Sequence, residues 1–167
     1  MSRSGHRPGA GSPSTTPTQP QAAYSATLRS RRSERVRAVQ FRQIIDRALA
    51  DPLPAIVCGD INAGPRAPPD NFAQFADAGF LDAVADAASP ATPSDTWEQR
   101  NPLNVASPHA TSPNQRIDHV LLSPAARRIL APKRSWRLFD RADGSPGVEA
   151  PITASDHYAV AVDLREE

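Results

Sequence analysis

"AIVCGDINAGP" spans Ala55–Pro65, and its reading decides the fold. Four residues suited to a buried strand (Ala55, Ile56, Val57 and Cys58) run straight into Gly59, Asp60 and Asn62. The apolar run is short and is preceded by Pro52 and Pro54, as a strand of a mixed sheet would be. Gly59 permits unusual dihedrals or a close backbone approach. Just past the strand, alternate side chains can face the same way, so Asp60 and Asn62 can converge. A carboxylate there can take a proton from water or bind a metal, and a neighbouring carboxamide can donate to a phosphate or orient the carboxylate. Gly, Asp and Asn also make ordinary turns, and the motif by itself favours that plainer reading.

Upstream, "SERVRAVQFRQIIDRALADPLP" predicts a helix capped by Ser33. Val36, Val39, Ile44, Ile45, Ala48 and Leu49 form its apolar stripe, and Pro52 and Pro54 end it. Downstream, "DNFAQFADAGF" predicts a short helix with Phe72, Phe75 and Ala76 inward and Gly79 as its stop. Residues 89–115 read as a long loop around Thr96 and Trp97. Strands follow at Ile117–Leu122 and Trp136–Phe139, then turn chemistry at Asp143–Pro151. In the last strand, "HYAVAVDL", Tyr158, Val160 and Val162 alternate with Ala159, Ala161 and Asp163. Strands interleaved with helices favour an α/β fold.

The chain has 167 residues, enough for one domain with a core. Met1–Gln21 is rich in Pro, Ser, Thr and Gly without hydrophobic periodicity. Residues 1–23 therefore read as a disordered tail and 24–167 as the folded part. No apolar stretch follows the basic residues as in a signal peptide, which leaves the cytoplasm as the default, and none is long enough to span a bilayer. The single cysteine, Cys58, excludes an internal disulfide or a Cys-based zinc cluster and reads as a small buried hydrophobe.

Net charge is +1 but uneven. Residues 1–47 carry nine Arg against Glu34 and Asp46, or +7; the remainder carries ten basic and sixteen acidic residues, or −6. The Arg-rich start can steer toward a phosphate-bearing partner or be a solvated helix face with a tail. The acidic remainder gives no support to an extended DNA-binding groove.

Two further polar clusters lie at strand ends. In Arg116-Ile117-Asp118, a carboxylate in a mostly buried strand needs a partner, either an Arg or a histidine that it orients. His119 alternates to the opposite face and reads as structural. In Ser155-Asp156-His157, an adjacent acid and imidazole can divide labour between a hard cation and an anionic substrate, or the acid can simply close a turn. The three clusters together suit metal-assisted hydrolysis of a phosphate ester.

"IVCGDINAGP", "RIDHVLLSP" and "SDHYAVAVDL", in this order, resemble the last three signature motifs of the endonuclease/exonuclease/phosphatase superfamily. "VRAVQFRQI" resembles that family's helix with an Arg-x-x-Gln pattern. The resemblance covers roughly residues 24–165. It implies a DNase I-like two-sheet α/β sandwich with flanking helices. It also implies that Asp60 positions or activates the attacking water and that Asn62 binds the phosphoryl oxygen. Asp118 would pair with His157, whose other nitrogen contacts the phosphate. Asp156 would hold the divalent ion, Mg²⁺ or Mn²⁺. The implied substrate is a phosphate ester: nucleic acid, phospholipid headgroup or inositol phosphate.

The family's two N-terminal motifs, a strand ending in Asn and a metal-binding Gln-Glu, have no counterpart before residue 55. The chain therefore reads as the C-terminal portion of the domain, incomplete on its N-terminal side, with exposed sheet edges. Two functional readings follow. One is a divalent-metal-dependent phosphoesterase; the other is an inactive remnant or a module that needs a complementing chain. A nucleic-acid binder without chemistry rests only on the Arg-rich start.

Overall fold

The computed structural model describes residues 21–66, 69–87, 95–140 and 153–167. The expected tail over residues 1–20, the turn at Asp143–Pro151 and part of the Pro-rich loop lie outside these residues. The chain divides into two units, Met1–Ser33 and Glu34–Glu167. The described part of the first is helical; the second carries the sheets and the candidate site.

Helix α1 runs Gln21–Ala50. It starts well before Ser33, which lies inside it rather than capping it, and Ala22 and Ala23 belong to the helix. After Pro20 the sequence is rich in Ala, Arg and Leu and free of breakers until Pro52, so nothing stops the helix at residue 33. Within the second unit its packing face is Phe41 and Ile45, with Ala48 partly buried. Val36, Val39, Ile44 and Leu49 are exposed, contrary to the expected stripe. Those positions are spread too widely around the helix to share one face, whereas 41, 45 and 48 follow the i, i+4, i+7 rule.

Strand β1 spans Ile56–Asp60 and α2 spans Pro69–Asp77. Phe75 of α2 is buried and Phe72 partly so, while Ala76 is exposed. Gly79 ends this segment with φ 81°, and Phe80 N–H donates to Phe75 O while Gly79 N–H donates to Ala76 O, a Schellman arrangement. A two-residue strand, β2 (Leu81–Asp82), and a short helix, α3 (Ala83–Asp86), follow, neither of them expected. Strand β3 is Asp118–Leu122, β4 is Leu130–Leu138 and β5 is Ala159–Glu166. β4 is longer than the expected Trp136–Phe139, and Phe139, with φ 57°, lies just beyond it.

The strands form two antiparallel sheets, one in the order β1-β3-β2 and the other β4-β5. Alternation along β3 divides the core in two. Leu121 faces the helices, joining Phe41, Ile45, Phe75 and Phe80. Leu122 and Val120 face the second sheet, joining Ala83, Ala126, Leu130, Val162 and Leu164. The second unit is thus layered helix, sheet, sheet, an α/β sandwich of the DNase I-like kind.

Strand β1 departs from its expected burial. Ile56 is 47% exposed and Cys58 is also exposed. Antiparallel partners share a face, and Ile56 and Cys58 pair with Leu122 and Val120. They therefore face the second-sheet side, but β1 is an edge strand and β4-β5 does not cover it. Apolar composition predicted the strand; burial also required a covering layer.

Candidate functional site

The site begins where the β1–β3 ladder ends. Its final cross-strand pair sets Asp60 directly opposite Asp118. Like charges directly opposite each other destabilise an antiparallel ladder unless something neutralises them. Gly59, with φ 134°, takes a conformation that side chains rarely adopt, one residue before Asp60 ends the strand.

Asp60 and Asn62 converge as expected, though not by strand alternation. Asn62 has φ 51° and lies outside the strand. Its backbone N–H donates to Asp60 Oδ1 at 2.7 Å and its Nδ2 donates to Asp60 Oδ2 at 2.9 Å. Both side chains stay exposed. One carboxamide hydrogen is used on Asp60, leaving the second free for an anion.

Asp118 is half-buried and points to the second-sheet side of β3. There it meets His157, which is delivered by the segment leading into β5. The imidazole Nδ1 donates to Asp118 Oδ2 at 2.9 Å. Of the two partners open to Asp118, the histidine is the one observed; Arg116 instead pairs with Asp82 at 2.7 Å. Hydrogen bonding to Asp118 raises the His157 pKa above its ordinary value; burial opposes this, and the charges of Asp118, Asp60 and Asp156 add to it. One ligand atom from each of Asp60, Asp118 and His157 lies within 4.8 Å of the others.

Asp156 is exposed and is not part of that trio. Its Oδ1 accepts from Ser155 Oγ at 3.4 Å. Two opposed carboxylates with an imidazole suit a divalent cation of borderline hardness, and carboxylates alone suit Mg²⁺ with its retained waters.

On the opposite face of β3, His119 is 1% exposed. Arg116 Nη1 donates to its Nδ1 at 2.8 Å, so its Nε2 carries the proton and donates to Ala63 O at 2.9 Å. Phe72 stacks on the ring. This histidine is structural, as alternation required, and it holds the loop that carries Asn62.

Sequence reasoning gave no role to Thr96, Asn101 and Asn104, all 0–1% exposed. They lie in the loop around Trp97, whose backbone bridges both Gln115 and His157. Trp97 beside a threonine in a Pro- and Asn-rich run was the available signal that this loop is ordered. Among the described residues, no helix is long and apolar enough to cross a membrane.

The family model described as the endonuclease/exonuclease/phosphatase family matches residues 7–157. A crystal structure of an endonuclease/exonuclease/phosphatase family protein from Bacteroides thetaiotaomicron superimposes with a TM-score of 0.54 at 22% identity. The match covers 78% of this chain and 44% of that one, so the chain spans less than half the length of its structural relative. No curated protein matches the sequence.

Proposed function

The chain belongs to the endonuclease/exonuclease/phosphatase family, and from that premise we propose that it carries a divalent-metal-dependent phosphoesterase site. The observation that carries this reading is the convergence of Asp60, Asp118 and His157 at the end of one ladder. Asp60 accepts the proton of the attacking water. Asn62 orients Asp60 and offers its free amide hydrogen to a phosphoryl oxygen. Asp118 holds the Nδ1 proton of His157, so Nε2 faces the phosphate as a donor. Asp156 is the proposed ligand of Mg²⁺ or Mn²⁺, with the Asp60–Asp118 pair the other donor set that fits a cation. The ion supplies neutralisation of charge on the phosphoryl and leaving oxygens.

Substrate class within the phosphate esters is open to a panel of a nucleic acid, a phospholipid and an inositol phosphate. The test is release of p-nitrophenolate from bis(p-nitrophenyl) phosphate with Mg²⁺ or Mn²⁺. Turnover lost in both Asp60→Ala and His157→Ala supports the proposal; turnover unchanged by both overturns it.

A second reading is a module that turns over only with a complementing chain. It is supported by β1 standing at the edge of its sheet with Ile56, Cys58, Gly59 and Asp60 exposed. It predicts no turnover by this chain alone, and turnover by the wild type alone contradicts it.

A further inference from the structure

We infer that Thr96 is the positioning residue that fixes the Asp118–His157 pair, with Asn101 and Asn104 holding the turn from which the imidazole projects. The inference deepens the site proposed above and rests on that pair being its working unit.

Asp118 opens β3 and His157 lies just before β5 of the other sheet, and no ladder joins their backbones. Thr96 does. Its Oγ1 accepts from Ile117 N–H at 3.1 Å and from Asp118 N–H at 3.2 Å. Its carbonyl accepts from Tyr158 N–H at 2.7 Å, one residue beyond the imidazole. Its own N–H donates to Gln115 O at 3.0 Å. One residue, 0% exposed, thus ties the backbone that carries the carboxylate to the backbone that carries the imidazole. Asp118 is placed by the side chain of Thr96 and His157 by its main chain, with the backbone of Trp97 bridging Gln115 and His157 beside it.

The turn before His157 is held from below. Asn101 Nδ2 donates to Ser155 O at 2.9 Å. Asn104 Nδ2 donates to Asp156 O at 2.9 Å and also to Glu98 O at 2.9 Å. Removing either amide leaves those main-chain carbonyls without their donor. The anchor beneath them is Glu98, itself buried, with Arg137 donating to Oε1 at 2.6 Å and Arg100 paired to its other oxygen. Every tie on residues 155–158 from this loop is to main chain. The loop therefore dictates where the imidazole stands without touching it.

The consequence is a specific tautomer. A hydrogen bond to the Asp118 carboxylate selects the Nδ1–H form of neutral His157 and leaves Nε2 free. Thr96→Val keeps the volume of the side chain but removes the oxygen that accepts two amide hydrogens. The β3 end then shifts relative to the 155–158 turn, and the imidazole loses its carboxylate. Thr96→Ser keeps the oxygen.

The experiment is 15N–1H correlation of the imidazole rings in the full chain, at a fixed pH where they are neutral, with His157 assigned by its disappearance in His157→Gln. His119, held by Arg116 and Ala63 on the other face of β3, is recorded in the same spectra. The wild type and Thr96→Ser are expected to hold His157 as Nδ1–H. In Thr96→Val the His157 tautomer ratio falls by about tenfold or more, the worth of a charge-assisted hydrogen bond. If Thr96→Val does not fold, Asn104→Ala is read in its place with the same expectation. An unchanged His157 ratio in Thr96→Val, or an equal fall in Thr96→Ser, overturns the inference. The reading needs no substrate, so its failure leaves the hydrolysis proposal standing, and absent hydrolysis leaves this one standing.

Discussion

His157 Nδ1 lies 2.9 Å from Asp118 Oδ2, across 39 residues of chain, and the pair closes the open end of the β1–β3 ladder where Asp60 faces Asp118. The imidazole N–H donated to Asp118 offsets the repulsion of two opposed carboxylates, and those charges in turn raise the His157 pKa. The electrostatics and the geometry of the site are thus one feature.

That feature has a pH signature. The folded pKa of His157 is raised, chiefly by its hydrogen bond to Asp118. The stability it contributes is fully present below its ordinary pKa of about 6.5 and is lost as pH rises through the raised value. NMR titration of His157 is expected to give a midpoint above the ordinary histidine value, and Asp118→Asn brings it down. Equal midpoints in the two proteins would remove the pairing from the account.

Gly64 passes so close to the segment entering β3 that an added Cβ would stand 2.0 Å from the Arg116 carbonyl oxygen. That oxygen is main chain and cannot rotate away. Gly64→Ala is expected to cost about 1–3 kcal/mol in urea unfolding, as overpacked sites do. A midpoint equal to wild type would show that the loop is not seated on that segment.

The core face of the fold is equally testable. Phe75 is 1% exposed and contacts both Phe41 and Phe80. Phe75→Ala is expected to lose about 3–5 kcal/mol by cavity formation. Val39→Ser, on the exposed side of α1, stays within about 0.5 kcal/mol of wild type. The reverse order in a denaturant series would mean that α1 packs through its Val36–Val39 side.

Metal and base roles separate kinetically. Asp156→Ala is expected to raise the Mg²⁺ concentration for half-maximal hydrolysis on the order of tenfold or more, with the rate at saturating metal largely kept. Asp60→Ala instead lowers the rate at saturating metal by about 10²–10⁴. Chelation with EDTA abolishes turnover in the wild type. Identical metal dependence in wild type and Asp156→Ala would move the cation to the Asp60–Asp118 pair.

How far the sequence reached follows from what each feature depends on. Gly59-Asp60-Ile61-Asn62, Asp118 and Ser155-Asp156-His157 are short motifs at or near strand ends, and the family resemblance they carry implied the Asp118–His157 contact that the structure shows. Burial could not be anticipated, because it depends on a third party. Cys58 is apolar and strand-borne yet exposed, since β4-β5 covers β3 and not β1. The inward face of α1 was misread because Val36 and Val39 outnumber Phe41 in the pattern, while one large aromatic at the right angle decides the packing. The loop holding Thr96, Asn101 and Asn104 was opaque for another reason. Its order comes from successive turns, Asn101 N–H to Glu98 O, Asn104 N–H to Asn101 O and Ser107 N–H to Asn104 O, which carry no hydrophobic periodicity.

The central claim is that Asp118 works on a phosphate ester only through His157. The most direct test is the rate of Mg²⁺-dependent phosphodiester hydrolysis by Asp118→Asn, His157→Ala and the double variant. The account predicts that the double variant is no slower than His157→Ala alone, because the two residues act as one unit. Losses that multiply in the double variant, or a wild-type rate in either single one, would contradict it.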